Sequence, residues 1–554
     1  MKLVTDIIVC VALSCVLVVG TPGVSLGDTP QSASSLLARG DAAMSAGNYA
    51  DAVVAFGEVV DSATGKDSKS LALEGRAEAL KNLRRYDQAM SDLSAALALW
   101  NGDECGDNVW RAEILNLRAR VFVRAESDDL ALAEYAAALD ALKMLRWRQC
   151  DTRSKGASES LYVSIYQGRG RTYRILKNEP AAMSDILSAL SHDKNNVPVL
   201  MDLGDLQVTQ GHCSDAIDTY TRVLSSDSNH TEALLRRAEC WSDLKQFESA
   251  LSDSKQLMQA EPNNPFNYIF RASVFKSMHE YAHADDDASR AIELRSDLDN
   301  FYSLLCEIRA QQRRFTEAGE DCDRAIALDP RYAGGYSTRG KLFRMQGRMK
   351  EALTDFTAAI ALERGTLHTA QLERAFAYAQ MDNVEAALAD LNAVYDQHSD
   401  RHKVVFFRGW LFLQIGDAKR ALVDFARARS LEPDDPYVYL WEDIAVGPDI
   451  QAAHSADGLA RIDAAKWPAP ILQLYAGSLS PSAVFQAARD TDPDVQQVQL
   501  CEANFYVAAW LLQRTRSPEA PRSLKLAVEN CPVTYLESVA AKLLSRTHGA
   551  RIDR

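Results

Sequence analysis

The chain has 554 residues, of which 47% are hydrophobic and 25% are charged, and its formal net charge is −15. This composition is typical of a folded globular protein, and it excludes a disordered chain, a collagen-like fibre and a multi-span membrane protein. An acidic chain without a block of basic residues binds a phosphate backbone poorly, so we expect no nucleic-acid partner.

Residues 1–27 have the pattern of a targeting segment that is not part of the fold. Ile7 to Val19 is an apolar run of signal-peptide length, and Ser25-Leu26-Gly27 places small residues where a signal peptidase requires them. We therefore expect cleavage before Asp28 and an exported protein, either periplasmic in a bacterium or secreted. After cleavage we expect no membrane span.

The alternative for this segment is a retained membrane anchor. Leu3 to Gly20 is long enough to span a bilayer, but Asp6 interrupts it. Eight of the ten cysteines lie outside the leader, and an even number in an exported chain suggests disulfides.

A spacing of small and apolar residues recurs along most of the chain. Gly340, Ala352, Phe356 and Ala359 are separated by 12, 4 and 3 residues, and the same spacing recurs from Gly170, Gly204, Ala238 and Ala272. We predict an uninterrupted period of 34 residues from Val163 to Asp400, which is seven repeats. The remaining predicted repeats are 33–66, 70–103, 112–145, 402–435 and 501–534.

The repeat predicts a pair of packed helices. Small residues at positions 8, 20 and 27 allow close approach, and proline at position 32 (Pro262, Pro330, Pro433) ends the second helix. A single pair cannot bury its apolar face alone, so neighbouring pairs must stack. The pattern resembles the tetratricopeptide repeat. This resemblance implies an all-α, right-handed α-solenoid of about twelve helix pairs with a C-terminal helical cap.

The expected organisation follows from these repeats. It comprises a signal peptide (1–27), three N-terminal units (33–145), a continuous array of eight units (163–435), an irregular helical segment (436–500), and a terminal unit with a capping helix (501–546).

Position 7 is often arginine, and position 23 of the same repeat is then acidic. Facing positions of an antiparallel helix pair have a nearly constant index sum, so these two positions should be neighbours. We predict seven partly buried ion pairs within repeats and assign them a structural role, because functional pairs do not recur at a fixed period. They are Arg76/Asp92, Arg118/Glu134, Arg169/Asp185, Arg237/Asp253, Arg271/Asp287, Arg339/Asp355 and Arg408/Asp424.

The same rule suggests four disulfides. Cys306 and Cys322 occupy positions 8 and 24 of one repeat, and Cys501 and Cys531 occupy positions 1 and 31 of another. The alternative for Cys306 and Cys322 is a pair of small buried thiols. The other two candidate pairs are Cys105 with Cys150, at the open end of one hairpin, and Cys213 with Cys240, on adjacent helices of neighbouring repeats.

The C-terminal residues carry a second resemblance. Trp467-Pro468, Leu474-Tyr475-Ala476-Gly477, Cys501-Glu502-Ala503-Asn504-Phe505-Tyr506 and Cys531-Pro532 with Tyr535 and Glu537 occur in the order typical of exported bacterial repeat proteins related to new lipoprotein I. The resemblance implies periplasmic scaffold or adaptor work, such as presenting cell-wall enzymes to partners. The chain lacks the lipobox of that family.

The sequence contains no motif for catalysis or a cofactor. It has no Walker loop, glycine-rich dinucleotide turn, HExxH, CxxC or GxSxG motif, so we expect no enzyme, no cofactor and no metal. His279 and His283 could form half of a metal site, but they more simply lie on a solvated corner of the repeat. Position 6 is never asparagine, which disfavours a chaperone-tail clamp.

The expected binding surface is the inner face formed by the first helix of each repeat. Two aromatic clusters on it are candidate partner-binding residues: Phe266, Ile269 and Phe270, and Phe406, Phe407 and Trp410. The alternative is that the C-terminal block packs on the second cluster. We predict a non-catalytic scaffold that binds peptides or helices of other proteins. The alternatives are a self-assembling structural protein and a regulator that presents cell-wall enzymes.

Overall fold

A computed structural model describes residues 32–100, 105–144, 152–363, 369–447, 454–514, 517–531 and 535–547. The described regular elements are all helices, and the chain divides into two compact units, Met1–Ser228 and Asn229–Arg554. The predicted leader and the pair Cys105 and Cys150 lie outside the part whose side chains are described.

The first unit contains five antiparallel helix pairs. We call the first helix of each pair A and the second B. The pairs are α1 (Ala33–Ser45) with α2 (Tyr49–Ser62), α3 (Lys66–Asn82) with α4 (Tyr86–Ala98), α5 (Cys105–Arg124) with α6 (Asp128–Lys143), α7 (Thr152–Ile175) with α8 (Glu179–His192), and α9 (Val197–Thr209) with α10 (Cys213–Ser226).

The second unit begins with six further pairs. They are α11 (Thr231–Asp243) with α12 (Phe247–Ala260), α13 (Pro265–Ser277) with α14 (Tyr281–Leu294), α15 (Asp299–Gln311) with α16 (Phe315–Leu328), α17 (Ala333–Met345) with α18 (Met349–Leu362), α19 (Thr369–Gln380) with α20 (Val384–Tyr395), and α21 (His402–Gln414) with α22 (Ala418–Leu431).

Seven helices follow the eleventh pair and form a C-terminal block. They are α23 (Pro436–Val446), α24 (His454–Leu459), α25 (Ala469–Tyr475), α26 (Pro481–Ala487), α27 (Pro493–Arg514), α28 (Ala520–Asn530) and α29 (Leu536–Thr547). The block packs on α21 and α22, and together they bury one continuous apolar core. The all-α architecture of stacked helix pairs with a C-terminal helical cap is therefore confirmed.

Each of the eleven pairs turns through one residue with a positive φ. In pair six, the Lys245 amide bonds to the Ser242 carbonyl and the Gln246 amide bonds to the Trp241 carbonyl, which is the Schellman arrangement that ends a helix. Glycine occupies only some of these turns, since non-glycine residues such as Lys245 (φ 58°) and His279 (φ 61°) also adopt the conformation. His279 is thus a turn residue.

In most of the eleven pairs a small residue at position 8 faces a large side chain at position 24. A Cβ atom at Gly340 would lie 2.6 Å from the Phe356 ring, which is too close for any real contact. The missing side chain therefore allows the two helices to approach and the ring to be fully buried. In pair eight, Cys306 and Cys322 replace this contact with a disulfide.

The predicted uninterrupted period from 163 to 400 is wrong by one residue. The turn residues Gly347 and Asp382 are 35 apart, as are the buried small residues Gly340 and Ala375. The extra residue lies between the end of α18 and the start of α19, and it shifts the tenth repeat to 368–401. A connection between helix pairs accepts one more residue because it belongs to neither packed face.

Candidate protein-binding faces

The arginine–acid contacts lie inside the helix pairs, between an A helix and its own B helix. All seven predicted pairs are present. In each arginine–aspartate pair the Nε and Nη2 atoms donate to the two carboxylate oxygens at 2.7 to 2.9 Å. In the seventh pair only one such contact forms, in which Arg118 Nη2 donates to Glu134 Oε1.

These pairs have the environment of structural contacts. The Arg271 side chain is 27% exposed and its partner Asp287 is 8% exposed. The hydrogen bond that Asp287 accepts raises the pKa of the Arg271 guanidinium, although burial opposes the shift. An eighth pair, Arg374 with Asp390, was missed because the uninterrupted frame placed Glu373 at position 7.

Within each pair the aspartate is buried more deeply than the arginine. The arginine side chains are 13–27% exposed, and the aspartate side chains are 4–11% exposed. The reason is that position 23 lies on the side of the B helix that packs against its A helix. These carboxylates are therefore closed to a partner and act only within the fold. The buried aspartates are Asp92, Asp185, Asp253, Asp287, Asp355 and Asp424.

The second predicted aromatic cluster is part of the core. Phe407 and Trp410 are only 6% and 1% exposed, and Phe406 is partly buried. Trp410 packs edge to face on Trp441 of α23, with ring centroids 6.4 Å apart. The expectation that Phe407 and Trp410 present a surface to a partner is therefore wrong. Trp441 of the C-terminal block packs on Trp410, and Phe376 of α19 packs on Phe407 with ring centroids 4.9 Å apart.

The first predicted aromatic cluster is more accessible. Phe266 is 49% exposed, while Ile269 and Phe270 beside it are partly buried. The three residues are spaced i, i+3 and i+4, which places them on one face of α13. Phe266 also contacts the buried ring of Phe301 from the next A helix, with centroids 5.6 Å apart. We call Phe266, Ile269 and Phe270 the α13 patch.

Charged contacts between successive A helices continue along the same face. Lys276 Nζ donates to Glu307 Oε2 at 2.8 Å. Burial alone would raise the pKa of the Glu307 carboxyl, but Lys276 and Lys341 lower it below its ordinary value. Further along, Arg344 Nη2 donates to Glu373 at 3.2 Å. Anions and cations on this stretch thus largely compensate one another.

Residues of the C-terminal motifs converge in the block. Glu502 accepts hydrogen bonds from Tyr437 Oη at 2.9 Å and from Trp467 Nε1 at 2.7 Å, and Tyr506 donates to the neighbouring carboxylate of Glu537 at 2.9 Å. Burial, together with the charge of Glu537, raises the pKa of Glu502 to about 7. The order of the motifs was visible in the sequence, but their convergence on two buried carboxyls was not.

Two of the predicted disulfides are present, Cys306–Cys322 and Cys501–Cys531. The first links α15 to α16, and the second ties α27 to the residue that follows α28. Cys213 and Cys240 are both buried, but they belong to different units, so their pairing stays a prediction.

The described residues contain neither a metal-binding group nor a helix that could span a membrane. Where the structure describes side chains, histidine, cysteine and acidic residues form no group of three able to hold a metal ion. His283 instead contacts Glu280. No helix in the described ranges combines the length and the apolar character that crossing a bilayer requires.

Comparison with known proteins identifies the repeat. The tetratricopeptide repeat family model matches residues 30–104, 201–265 and 372–436. No curated protein matches the chain. A tetratricopeptide repeat protein from Parabacteroides merdae ATCC 43184 is 17% identical over 51% of this chain and 99% of that one, with a TM-score of 0.38.

Two larger solved structures are also similar in fold. The Cut9–Hcn1 hetero-tetramer of the APC/C gives 14% identity over 93% of this chain and 96% of that chain, with a TM-score of 0.42. Yeast Tom70 gives 12% identity over 75% of this chain and 95% of that one, with a TM-score of 0.41.

Proposed function

We propose that this tetratricopeptide-repeat chain is an exported, non-catalytic scaffold that binds a segment of another protein on the inner face of its second unit. Tetratricopeptide repeats are protein-binding modules, so protein interaction is the function that the repeats themselves support. The exported compartment and the location of the binding face are the new parts of the proposal.

The α13 patch is the observation that supports this location of the binding face. Phe266 leaves about half of its side chain exposed (49%) on an A helix, while Phe407 and Trp410 of the second aromatic cluster are buried. The half-exposed Phe266, with the partly buried Ile269 and Phe270 at i+3 and i+4, suits an apolar anchor of a peptide or helix. The ion pair of Lys276 with Glu307 lies further along the same helix.

The export proposal has two supports of different kinds. The apolar run Ile7 to Val19 ends in a cleavage-like Ser25-Leu26-Gly27. The disulfides Cys306–Cys322 and Cys501–Cys531 are bonds that persist in oxidising compartments. We expect the mature protein isolated from its source to begin at Asp28, which N-terminal sequencing measures. An intact Met1 would contradict cleavage.

The location is tested by affinity capture from the exported fraction of the source, with mature Asp28–Arg554 as bait. A second bait carries Phe266→Ser and Phe270→Ser, and a control bait carries Val423→Ser, which changes an exposed apolar residue (66%) on the B helix α22. We expect a prey that the wild type and the control retain and the double variant loses. A prey retained by all three baits would move the site away from α13.

A further inference from the structure

The inner face of the first unit carries a group of cations on three successive A helices. They occupy positions 9, 12 and 13 of α3, α5 and α7, and we call them the basic strip: Lys81, Arg120, Arg124, Arg171 and Arg174. The contacts of Arg120 and Arg171 run from one A helix to the next. Arg120 Nη2 donates to Glu78 Oε1 at 3.0 Å, and Arg171 Nε donates to Asp202 Oδ2 at 2.7 Å. This pattern places the strip on the inner face.

Arg124 is exposed, and three more of these side chains remain accessible to solvent. The side chains of Arg120, Arg171 and Arg174 are 42%, 50% and 29% exposed, although each has a carboxylate within contact distance. Arg174 reaches Asp202 only at 3.7 Å. Guanidinium groups held in this way keep donors free for a second acceptor, because each has five N–H groups.

Positive charge exceeds negative charge within the strip. Five cations contact or act on two carboxylates, those of Glu78 and Asp202. Positions 12 and 13 of the five A helices of this unit contain no acidic residue. The pKa of Lys81 is lowered, first by burial and then by Arg120 and Arg124, although it contacts Glu78. An additional anion would relieve this repulsion.

We infer that the basic strip binds an acidic segment of a partner protein, with glutamate or aspartate carboxylates seated on Arg124, Arg171 and Arg174. The inference deepens the scaffold function proposed above, since it names a class of partner. It uses α3, α5 and α7 rather than α13, so the two surfaces can be tested separately.

The size and chemistry of the strip favour a peptide. Packed helices are about 10 Å apart, so three of them span about 20 Å, the length of an extended segment of about six residues. Arginine matches carboxylates with two parallel hydrogen bonds. Nucleic acid suits the strip less well, because Asp41 and Asp205 occupy position 9 of the flanking helices α1 and α9. A short acidic segment fits between these carboxylates, whereas a long phosphate backbone would extend onto them.

The test measures fluorescence anisotropy of a labelled peptide of alternating glutamate and glycine with the full mature chain. A lysine–glycine peptide and a thymidine oligonucleotide are the comparison probes. The variant is Arg124→Gln with Arg174→Gln, which leaves the shorter Arg120–Glu78 and Arg171–Asp202 bonds in place. The control is Lys143→Gln with Arg222→Gln, which removes two positive charges from the B helices α6 and α10.

We expect the glutamate peptide to bind saturably, with an affinity that falls as salt is added. The affinity should fall by about tenfold or more in the variant and stay unchanged in the control. Circular dichroism confirms that both variants remain folded. The inference is overturned if the glutamate peptide does not bind, if the control loses as much affinity as the variant, or if the oligonucleotide binds more tightly. A negative result here together with capture through the α13 patch would leave the proposed function intact.

Discussion

Arg374 and Asp390 form a two-point ion pair between α19 and α20, in which Nε and Nη2 donate to the two carboxylate oxygens at 2.8 and 2.6 Å. Their side chains are 19% and 10% exposed. The two residues are sixteen positions apart in the sequence, as in the seven other pairs. The geometry of the helix pair, rather than a strict 34-residue period along the chain, therefore determines which charges meet.

This pair should stabilise the fold through coupling between its two members. In a double-mutant cycle of Arg374→Gln and Asp390→Asn, we expect a coupling free energy of about 1–3 kcal/mol, because removing one partner leaves a mostly buried charge uncompensated. Urea unfolding of the four proteins measures it. The exposed pair Arg290 and Glu293 is the control and should show much weaker coupling. Equal coupling in both cycles would contradict the structural role.

The sequence predicted most of the fold because the repeat imposes it. Small residues at positions 8, 20 and 27 recur so regularly that the helices follow from their spacing. The error at the tenth repeat arose because the extra residue lies between two packed elements, where nothing in the apolar pattern marks it.

The sites were less predictable, since they depend on what covers a helix face. Phe406, Phe407 and Trp410 all lie on the A helix α21, and their positions in the repeat do not show what covers them. Phe407 is buried against Phe376 of α19, and Trp410 is buried against Trp441 of the C-terminal block. The basic strip is not visible in the sequence pattern, because its members come from three separate helices and no two are adjacent in sequence.

Replacement of Trp410 should test whether this aromatic cluster is core. We expect Trp410→Ala to lower the free energy of unfolding by about 3–5 kcal/mol, because it removes a fully buried side chain (1% exposed) and leaves a cavity. Thermal or chemical unfolding followed by circular dichroism measures the loss. Val423→Ala, on the exposed side of α22, should change stability little. A stable Trp410→Ala protein with weakened partner binding would instead support a surface role.

Stability should depend on pH through Glu502. Its pKa is about 7 in the fold, above the ordinary value of 4.5, so folding favours the protonated carboxyl. The stabilisation is complete below pH 4.5 and is lost as pH rises through 7. Glu502→Gln, which stays neutral, should therefore be more stable than the wild type at pH 8, by up to about 3 kcal/mol.

The measurement is the difference in unfolding free energy between Glu502→Gln and the wild type at pH 5 and at pH 8. Working with this difference removes the contributions of raised carboxyls that do not act on Glu502, such as Glu74, whose pKa burial raises to about 8. Glu537, whose charge acts on Glu502, remains part of the measured effect. Glu529→Gln, an exposed change on α28, is the control. A difference that does not grow with pH would rule out an ionisable Glu502 as its source.

The disulfide within pair eight should contribute stability independently of the ion pairs. Cys306 and Cys322 are 16 residues apart, and closing a loop of this length is worth about 3 kcal/mol. We expect reductant to lower the unfolding temperature of the wild type, and to lower it less in a Cys306→Ala, Cys322→Ala variant. Mass spectrometry of non-reduced peptides should find this link, and recovery of both peptides with alkylated thiols would contradict it.

The central claim, that the inner face of α13 binds a partner, is tested most directly by photocrosslinking in the source organism. A photoreactive phenylalanine replaces Phe266, which is 49% exposed on α13, and in a control it replaces exposed Arg290 on the B helix α14. The account predicts a discrete adduct with another protein from position 266 and none from position 290. Absence of an adduct at position 266, or the same adduct from both positions, would contradict it.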